Sequence, residues 1–122
     1  MQNQIQNDIK TAVNIGRQFL QAFFQQNTDI SNFYGNDSIL TFESETYIGR
    51  DDIMGKLKNL PASSIPTNYS VQPSNNGILI YCSGQLQISG QENQMPFIRV
   101  IFLVNANGSY YIKNDIYKIT LA

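Results

Sequence analysis

Residues 95–119, MPFIRVIFLVNANGSYYIKNDIYKI, set the architecture of this chain. Two runs rich in apolar and aromatic residues flank Asn105-Ala106-Asn107-Gly108, a turn signal between strands. We therefore predict a β-hairpin with strands over 95–104 and 110–121 and an irregularity at 114–115. Along the first strand, both alternating sets of side chains are largely apolar. Both faces should therefore be covered, and a second copy of the chain is the simplest cover for one of them.

Further strands are predicted upstream of this hairpin. A strand containing Tyr69 and Val71 ends near Pro73, a turn follows at 74–77, and a long strand covers 78–88. A polar turn at 90–94 then leads into the hairpin. Earlier in the chain, 38–43 and 46–48 are predicted to form a short pair of strands.

The N-terminal part is predicted to be helical. Apolar residues between 4 and 26 recur at three- and four-residue steps, which places Phe19, Phe23 and Phe24 on the core-facing side of one helix. A short second helix is predicted at 29–34. Helices followed by long strands indicate an α+β fold with an antiparallel sheet, in one domain over 1–122.

A third helix is predicted between the two short strands and the long ones. Asp51 or Asp52 is expected to cap its start, because a carboxylate there accepts otherwise unpaired amide hydrogens and meets the positive end of the helix dipole. Its apolar residues are Ile53, Met54, Leu57 and Leu60, and Pro61 is expected to end it.

The composition excludes several kinds of function. The chain has 122 residues, a net charge of −1, no histidine and one cysteine. Histidine-dependent nucleophiles, histidine or cysteine metal sites and intrachain disulfides are therefore absent, and we expect neither a metal nor another cofactor. The few basic residues are scattered, so we expect no nucleic-acid partner. The start is polar and the longest uninterrupted run of aliphatic and aromatic residues is 100–104, so we expect a soluble intracellular protein without membrane insertion.

Four residues deserve separate interpretation as candidate functional groups. Cys82, within a strand, is interpreted as a small core residue. Asp115 interrupts an apolar strand; a turn or bulge carboxylate bonded to the backbone is favoured over a buried base. For Glu43 a solvated strand position is favoured. Phe42 beside this acid could form part of an apolar pocket with an acidic rim, which suits an apolar side chain flanked by basic ones.

The order of several short motifs resembles the nuclear transport factor 2 family. The resemblance covers the chain from about Val13 to Leu121. It rests on NDSILTFE at 36–43, Gly49, Asp52-Ile53, Lys56-Leu57, Leu60-Pro61, Gly84-Gln85-Leu86, and GSYYIKNDIYKI at 108–119.

The resemblance implies both a fold and a function. The fold would be cone-like, with three N-terminal helices packed on a strongly bent antiparallel sheet that encloses an apolar cavity, and two copies would form a homodimer through their sheets. The function would be that of a carrier that binds the GDP form of the small GTPase Ran and the Phe-Gly repeats of nucleoporins. It would import Ran-GDP through the nuclear pore complex, moving between cytoplasm and nucleus, without catalysing a reaction.

The resemblance also implies site residues. The cavity-mouth aromatic falls on Phe42, and the acid that pairs with a basic residue of Ran falls on Glu43. The full implied Ran-binding set is Phe42, Glu43, Leu60, Ile65, Glu92, Ile116 and Tyr117. Nucleoporin repeats would contact Ile9 and Ala12. Ala12 stands where the family has an aromatic, so either the affinity for the repeats is lower or neighbours such as Ile9 compensate. Gly90 stands where the family has a second acid, which would weaken electrostatic steering toward Ran.

Two alternative functions stay open on the sequence. The fold that the resemblance implies also hosts small enzymes of the ketosteroid isomerase and scytalone dehydratase type. In such an enzyme Asp115 would act as base and a tyrosine such as Tyr117 as oxyanion donor. The second alternative is a peptide-binding domain of a larger RNA-associated scaffold.

Overall fold

The computed structural model describes residues 2–25, 28–60, 62–90 and 92–120. These residues form two α-helices, one short 3-10 turn and six strands. In chain order they are α1 (Gln2–Phe23), the 3-10 turn (Ile30–Phe33), β1 (Tyr34–Phe42), β2 (Glu45–Ile48), α2 (Arg50–Leu57), β3 (Ala62–Ser74), β4 (Gly77–Ile88), β5 (Gln94–Ala106) and β6 (Ser109–Ile119).

The six strands form one sheet in the order β2-β1-β6-β5-β4-β3. Four neighbouring pairs are antiparallel, but β1 and β6 run parallel, so the predicted antiparallel sheet is in fact mixed. The reason is topological. The chain passes from β2 at one edge to β3 at the other, returns through β4 and β5, and places β6 beside β1 in the same direction. The sheet does not close into a barrel, since β2 and β3 remain its edges.

The prediction of three helices is wrong for the second one. Its residues form a single 3-10 turn, in which the Asp29 carboxylate accepts a hydrogen bond from the backbone N–H of Ser31 at 3.1 Å. The turn is followed at once by Tyr34, the first residue of β1. Because only four residues lie in this turn, there is no room for a helix that could pack on the sheet.

Helix α2 begins differently from the prediction. Its N-cap is Gly49, with φ +89°, and no side chain caps it. Asp51 and Asp52 instead lie in the first helical turn, where their charge still meets the positive end of the helix dipole. The helix ends at Leu57, earlier than expected, and the proposed stop residue Pro61 lies outside the described residues.

The core lies between α1 and the inner face of the sheet, the face that α1 covers. Helix α1 lies close to β3 at Gly16, where a Cβ would stand 2.8 Å from Val71 Cγ2. The predictions for Phe19 and Phe23 are confirmed, since both are buried, whereas Phe24 is half-buried. Cys82 is also fully buried, which confirms its interpretation as a small core residue.

The opposite side of the sheet, here called the outer face, carries exposed apolar side chains. Tyr81, Val100 and Ile116 lie side by side across β4, β5 and β6. Tyr81 is 38% and Ile116 45% exposed, and Val100 is half-buried. The sequence therefore predicted correctly that both faces of β5 are rich in apolar residues.

Candidate functional site

A buried ion pair occupies the centre of the inner face. Arg99 on β5 and Asp115 on β6 are diagonal neighbours on adjacent strands, and Tyr34 reaches them from the start of β1. Nε of Arg99 donates to Oδ1 of Asp115 at 3.2 Å and Nη2 donates to Oδ2 at 2.5 Å. The hydroxyl of Tyr34 donates to Oδ2 at 2.8 Å and accepts from Nη2 at 3.1 Å. Less than a twentieth of each of these three residues is exposed.

This arrangement corrects the favoured interpretation of Asp115. Its carboxylate is not bonded to the backbone of a turn; it lies inside the protein and is paired with a guanidinium. The strand irregularity is one residue away from the predicted position, because the register between β5 and β6 shifts at Lys113. A bulge there lets Asn114 lie on the outer face while Asp115 points inward beside Arg99.

Aromatic rings surround the guanidinium of Arg99. Its Cζ lies 4.4 Å from the ring centroid of Tyr117, 5.0 Å from that of Phe23 and 5.7 Å from that of Phe24. These ring faces stabilise the cation by cation–π attraction, which strengthens when water is excluded. Residues from α1, β5 and β6 thus hold one charged group in a fixed position.

The buried surroundings change the ionisation of the groups around this ion pair. Burial opposes the charge on Arg99, but the Asp115 carboxylate more than offsets that effect and raises the pKa of Arg99. Burial and then the charge of Asp115 raise the pKa of Tyr34 well above its usual value. Burial also raises the pKa of Tyr117 and raises the pKa of the Cys82 thiol to about 11. Tyr34, Tyr117 and Cys82 are therefore neutral at pH 7.

An open cleft lies beside Arg99 instead of the enclosed cavity that the family resemblance implied. Its volume is about 310 Å³. Leu60, from the segment after α2, and Tyr117, from β6, both line it, so the structure brings together two of the predicted site residues. The remaining lining is Phe23, Phe24, Gln25, Ile30, Leu57, Ser63, Ser64 and Arg99. The hydroxyls of Ser64 and Tyr117 are hydrogen-bonded at 2.8 Å.

Phe42 lies beside this cleft at the end of β1. Its ring packs edge-on against Tyr117, with centroids 5.0 Å apart, and only 8% of the residue is exposed. Nζ of Lys56 lies 4.8 Å from the Phe42 ring centroid and 5.9 Å from that of Tyr47. The ring is thus held between a neighbouring aromatic and a lysine from α2.

Glu43 is not the solvated strand residue that the sequence favoured. It lies in the turn after β1 with φ +57° and is half-buried. Its carboxylate Oε1 accepts a hydrogen bond from the backbone N–H of Ile119 at 2.6 Å, and Nζ of Lys118 donates to its carbonyl oxygen at 2.6 Å. Its backbone N–H also donates to the carbonyl of Tyr117 at 2.9 Å. Glu43 therefore fastens the end of β6 to the turn after β1.

Three other predicted site residues lie away from the cleft. Ile65 and Ile116 are on the outer face, because side chains alternate along each strand and their neighbours Ser64 and Tyr117 point inward. They are 51% and 45% exposed, and neither of them lines the cleft. Glu92 is exposed in the bend before β5.

The two residues assigned to nucleoporin repeats lie on α1. Ala12 is buried at 3% exposure, and Ile9, one helical turn earlier, is 41% exposed. Ala12 lines a second groove, of about 700 Å³, that α1 forms with the turn between β3 and β4 and with Tyr110. Ile9 does not line that groove.

Arg99 is the site residue that the sequence reasoning missed. The signal was nevertheless present, since a lone arginine and a lone aspartate interrupt two adjacent apolar strands. Buried charges are normally paired, so an arginine and an aspartate in adjacent buried strands predict an ion pair between Arg99 and Asp115.

Neither a metal centre nor a membrane segment is found in the described parts of the chain. Residues 2–25, 28–60, 62–90 and 92–120 contain no group of three carboxylate or thiol side chains that could hold a metal ion. Within the same residues, neither helix combines the length and the apolar character needed to cross a bilayer.

Comparisons with known proteins agree with this fold. The family model described as "Nuclear transport factor 2 (NTF2) domain" matches residues 8–119. Proteins named nuclear transport factor 2 are similar over most of their length. The one from Candida albicans is 34% identical over 106 residues, which is 83% of this chain and 86% of the relative. The one from Saccharomyces cerevisiae is 33% identical over 114 residues, 86% of this chain and 91% of the relative.

A solved structure shows the same architecture. Nuclear transport factor 2 from Cryptosporidium parvum superposes with a TM-score of 0.78 at 29% sequence identity. The match covers 89% of this chain and 94% of that one. Sequence and structure comparisons therefore lead to the same group of proteins.

Proposed function

Because the chain belongs to the nuclear transport factor 2 family, we propose that it is a nuclear transport carrier whose cargo is the GDP form of Ran. It works by binding and release, without a cofactor, while it moves between cytoplasm and nucleus. The observation that carries the proposal is the family match over residues 8–119, together with an open apolar cleft beside Phe42.

The cleft region supplies the apolar part of the cargo site. Leu60 and Tyr117 line it, and Phe42 packs against Tyr117 at its side. An apolar side chain of Ran that enters here would lose its contact with water, which is worth roughly 2–3 kcal/mol for a large aromatic. The ring of Phe42 is fixed on both sides, so little ordering is required when cargo binds.

The acidic part of the proposed site is less uniform. Glu92 is exposed and available for a basic residue of Ran. Oε1 of Glu43 already accepts a hydrogen bond from the N–H of Ile119, so the other carboxylate oxygen would contact the basic residue of Ran. A rim ion pair contributes at most about 1 kcal/mol, so the apolar contact should dominate affinity and the acids should mainly steer the approach.

The outer face supports a homodimer. Ile116 and Ile65, which do not reach the cleft, belong to this face together with Tyr81. Burying such a surface against a second copy would remove exposed large apolar side chains from water. We assign Ile65 and Ile116 to the dimer contact rather than to the Ran site.

Passage through the nuclear pore requires contact with Phe-Gly repeats of nucleoporins. Ile9 is exposed on α1 and offers an apolar contact, whereas Ala12 is buried and small. We propose that the repeats bind along the exposed side of α1 at Ile9, with lower affinity than an aromatic anchor would give.

The contacts of Asp115 favour a carrier over an enzyme. A general base needs a free carboxylate oxygen directed at the substrate. In Asp115 one oxygen accepts from Nε of Arg99, and the other accepts from Nη2 of Arg99 and from the Tyr34 hydroxyl. The isomerase-type mechanism considered from the sequence therefore lacks its base.

The decisive experiment is a pull-down with Ran loaded with GDP or with a GTP analogue. We expect selective capture of the GDP form. Binding that ignores the nucleotide, or no binding at all, would contradict the carrier function. A parallel capture on Phe-Gly repeat peptides, with Ile9→Ser as the variant and the exposed Gln18→Ser as its control, tests the nucleoporin contact.

A further inference from the structure

The guanidinium of Arg99 keeps one nitrogen unused. Nε and Nη2 make all of its hydrogen bonds, to Asp115 and Tyr34, and Nη1 makes none with any described residue. Every fully buried side-chain nitrogen or oxygen in the described part of the chain has a hydrogen-bond partner. Nη1 is therefore accessible, and the opening that reaches Arg99 is the cleft that it helps to line.

The cleft around this nitrogen has the character of a small-molecule site. Aromatic and aliphatic side chains form part of its walls, with Phe24 and Tyr117 beside the guanidinium and Leu57 and Leu60 on the α2 side. Polar side chains, those of Gln25, Ser63 and Ser64, complete the lining. Its volume of about 310 Å³ is at the lower end of the range usual for ligand pockets. An apolar pocket with one or two fixed polar groups orients a ligand through those groups.

We propose that this cleft binds a small, uncharged aromatic molecule whose carbonyl or hydroxyl oxygen accepts a hydrogen bond from Nη1 of Arg99. The aromatic character follows from the rings of Phe23, Phe24 and Tyr117, which all line the cleft. The single-ring size follows from the volume. The cleft is the one that we assign to the apolar side chain of Ran, so such a molecule would compete with that contact, but its binding needs no protein partner and does not rest on the proposed function.

The charge of the ligand follows from Asp115. The carboxylate lies against the same guanidinium and neutralises it, with the shorter contact at 2.5 Å. An anionic ligand would face this second negative charge in a poorly solvated space and would gain little net attraction. A neutral acceptor meets no such repulsion and still receives a charge-assisted hydrogen bond from Nη1.

The test is a titration of the full-length protein with three matched probes, followed by protein NMR. Acetophenone has the ring and the carbonyl, ethylbenzene lacks the acceptor, and benzoate carries a charge. We expect acetophenone to bind with chemical-shift changes centred on Tyr117 and Phe24. Ethylbenzene should bind about tenfold or more weakly, since it forms no bond with the charged donor. Benzoate should also bind more weakly than acetophenone.

Two variants locate the site. Leu60→Trp fills the cleft from its half-buried rim and should abolish acetophenone binding, whereas Gln18→Trp, on the exposed side of α1, should leave it unchanged. Arg99→Lys keeps a positive partner for Asp115 but removes the planar Nη1 donor. It should reduce the preference for acetophenone over ethylbenzene to near one, provided that circular dichroism shows a folded chain.

Several outcomes would overturn the proposal. They are equal affinities for acetophenone and ethylbenzene, tighter binding of benzoate, unchanged binding by the Leu60→Trp variant, or no binding by the wild-type protein. Because the titration contains no Ran, its failure leaves the pull-down result unaffected, and failure of the pull-down leaves the titration result valid.

Discussion

At the scale of single residues, the molecule depends on a polar centre inside an apolar core. Arg99, Asp115 and Tyr34 are joined by four hydrogen bonds. Each would be costly to bury alone, because an unpaired buried charge loses its hydration without compensation. The three residues come from three strands and therefore also fix the order β1-β6-β5.

Alkaline pH should destabilise the protein through Cys82. Burial raises the pKa of this thiol from 9.0 to about 11. The folded protein thus keeps a proton that the unfolded chain releases, so the stabilisation is complete below pH 9 and is lost as the pH rises towards 11. The loss is at most about 1.4 kcal/mol per pH unit for one proton. Urea unfolding at pH 7, 9, 10 and 11 measures it.

A Cys82→Ala variant is the control for this pH effect. It should be less stable than the wild type at pH 7, because its side chain leaves a cavity, but it should lose less stability between pH 9 and 10. Tyr34→Phe should lower stability at every pH, because it removes two buried hydrogen bonds, but it should alter the pH dependence only above pH 10, since the pKa of Tyr34 is raised above 10.0 in the folded state. An unchanged slope in both variants would contradict the prediction.

Phe42 should matter more for Ran binding than Glu92 does. Phe42 supports the Tyr117 side of the cleft, where burial of a large Ran side chain is worth roughly 2–3 kcal/mol, whereas Glu92 supplies an exposed ion pair worth at most about 1 kcal/mol. We therefore expect Phe42→Ala to weaken binding of Ran-GDP more than Glu92→Ala, as measured by titration calorimetry.

The Phe42 comparison needs a fold control. Removing a buried aromatic costs about 3–5 kcal/mol of stability, so Phe42→Ala must first be shown to be folded at the assay temperature. Phe42→Leu keeps most of the apolar volume and should have an intermediate affinity. Equal losses of affinity for Phe42→Ala and Glu92→Ala would contradict the ranking.

At the scale of secondary-structure elements, the sequence pattern predicted most of the molecule. Apolar spacing located α1, and turn residues such as Asn105–Gly108 located the ends of the long strands. The errors occur where spacing carries little information. The 3-10 turn is too short for its residue spacing to distinguish it from an α-helix. At the start of α2, a carboxylate stabilises the helix dipole both at the cap and in the first turn, so the pattern does not fix its position.

Two glycines in helices should respond to alanine in opposite ways. Gly16 faces β3, and its Cβ would lie 2.8 Å and 2.9 Å from the two Cγ atoms of Val71. Gly55 in α2 has no heavy atom within 4 Å of its Cβ position. Gly55→Ala should therefore stabilise the protein by about 0.5–1 kcal/mol, the usual gain in helix propensity.

Gly16→Ala should instead destabilise the protein by about 1–3 kcal/mol, because α1 must move away from the sheet to make room. Denaturant unfolding of both variants beside the wild type measures the difference. A stabilising Gly16→Ala change would show that the contact between α1 and β3 is looser than the structure indicates.

At the scale of the whole molecule, the outer face of the sheet leaves large apolar side chains exposed in a single copy of the chain. Five of its large apolar residues are more than a third exposed: Ile48, Ile65, Leu79, Tyr81 and Ile116. α1 covers only the inner face. A second copy of the chain can cover the outer face without any additional helix.

A charge at the centre of the outer face should therefore prevent dimer formation. Tyr81 stands opposite Val100, in one row with Ile116. We expect Tyr81→Glu to be a folded monomer and the wild type and the α1 variant Gln18→Glu to be dimers, as measured by sedimentation equilibrium. A wild type that sediments as a monomer at micromolar concentrations would contradict the proposed dimer.

The sequence by itself determined the class of fold, the main helix, the long strands and the family. These features follow from local spacing and from ordered short motifs, both of which are present in the unfolded chain. Tertiary structure alone decided which residues meet. It placed β6 parallel to β1, paired Arg99 with Asp115, bonded Glu43 to Ile119, and put Ile116 on the face opposite Tyr117. The residues of such pairs are far apart in the chain, and whether they meet depends on the strand register. A single bulge at Lys113 changes which side chains of β6 point inward, and local spacing does not reveal it.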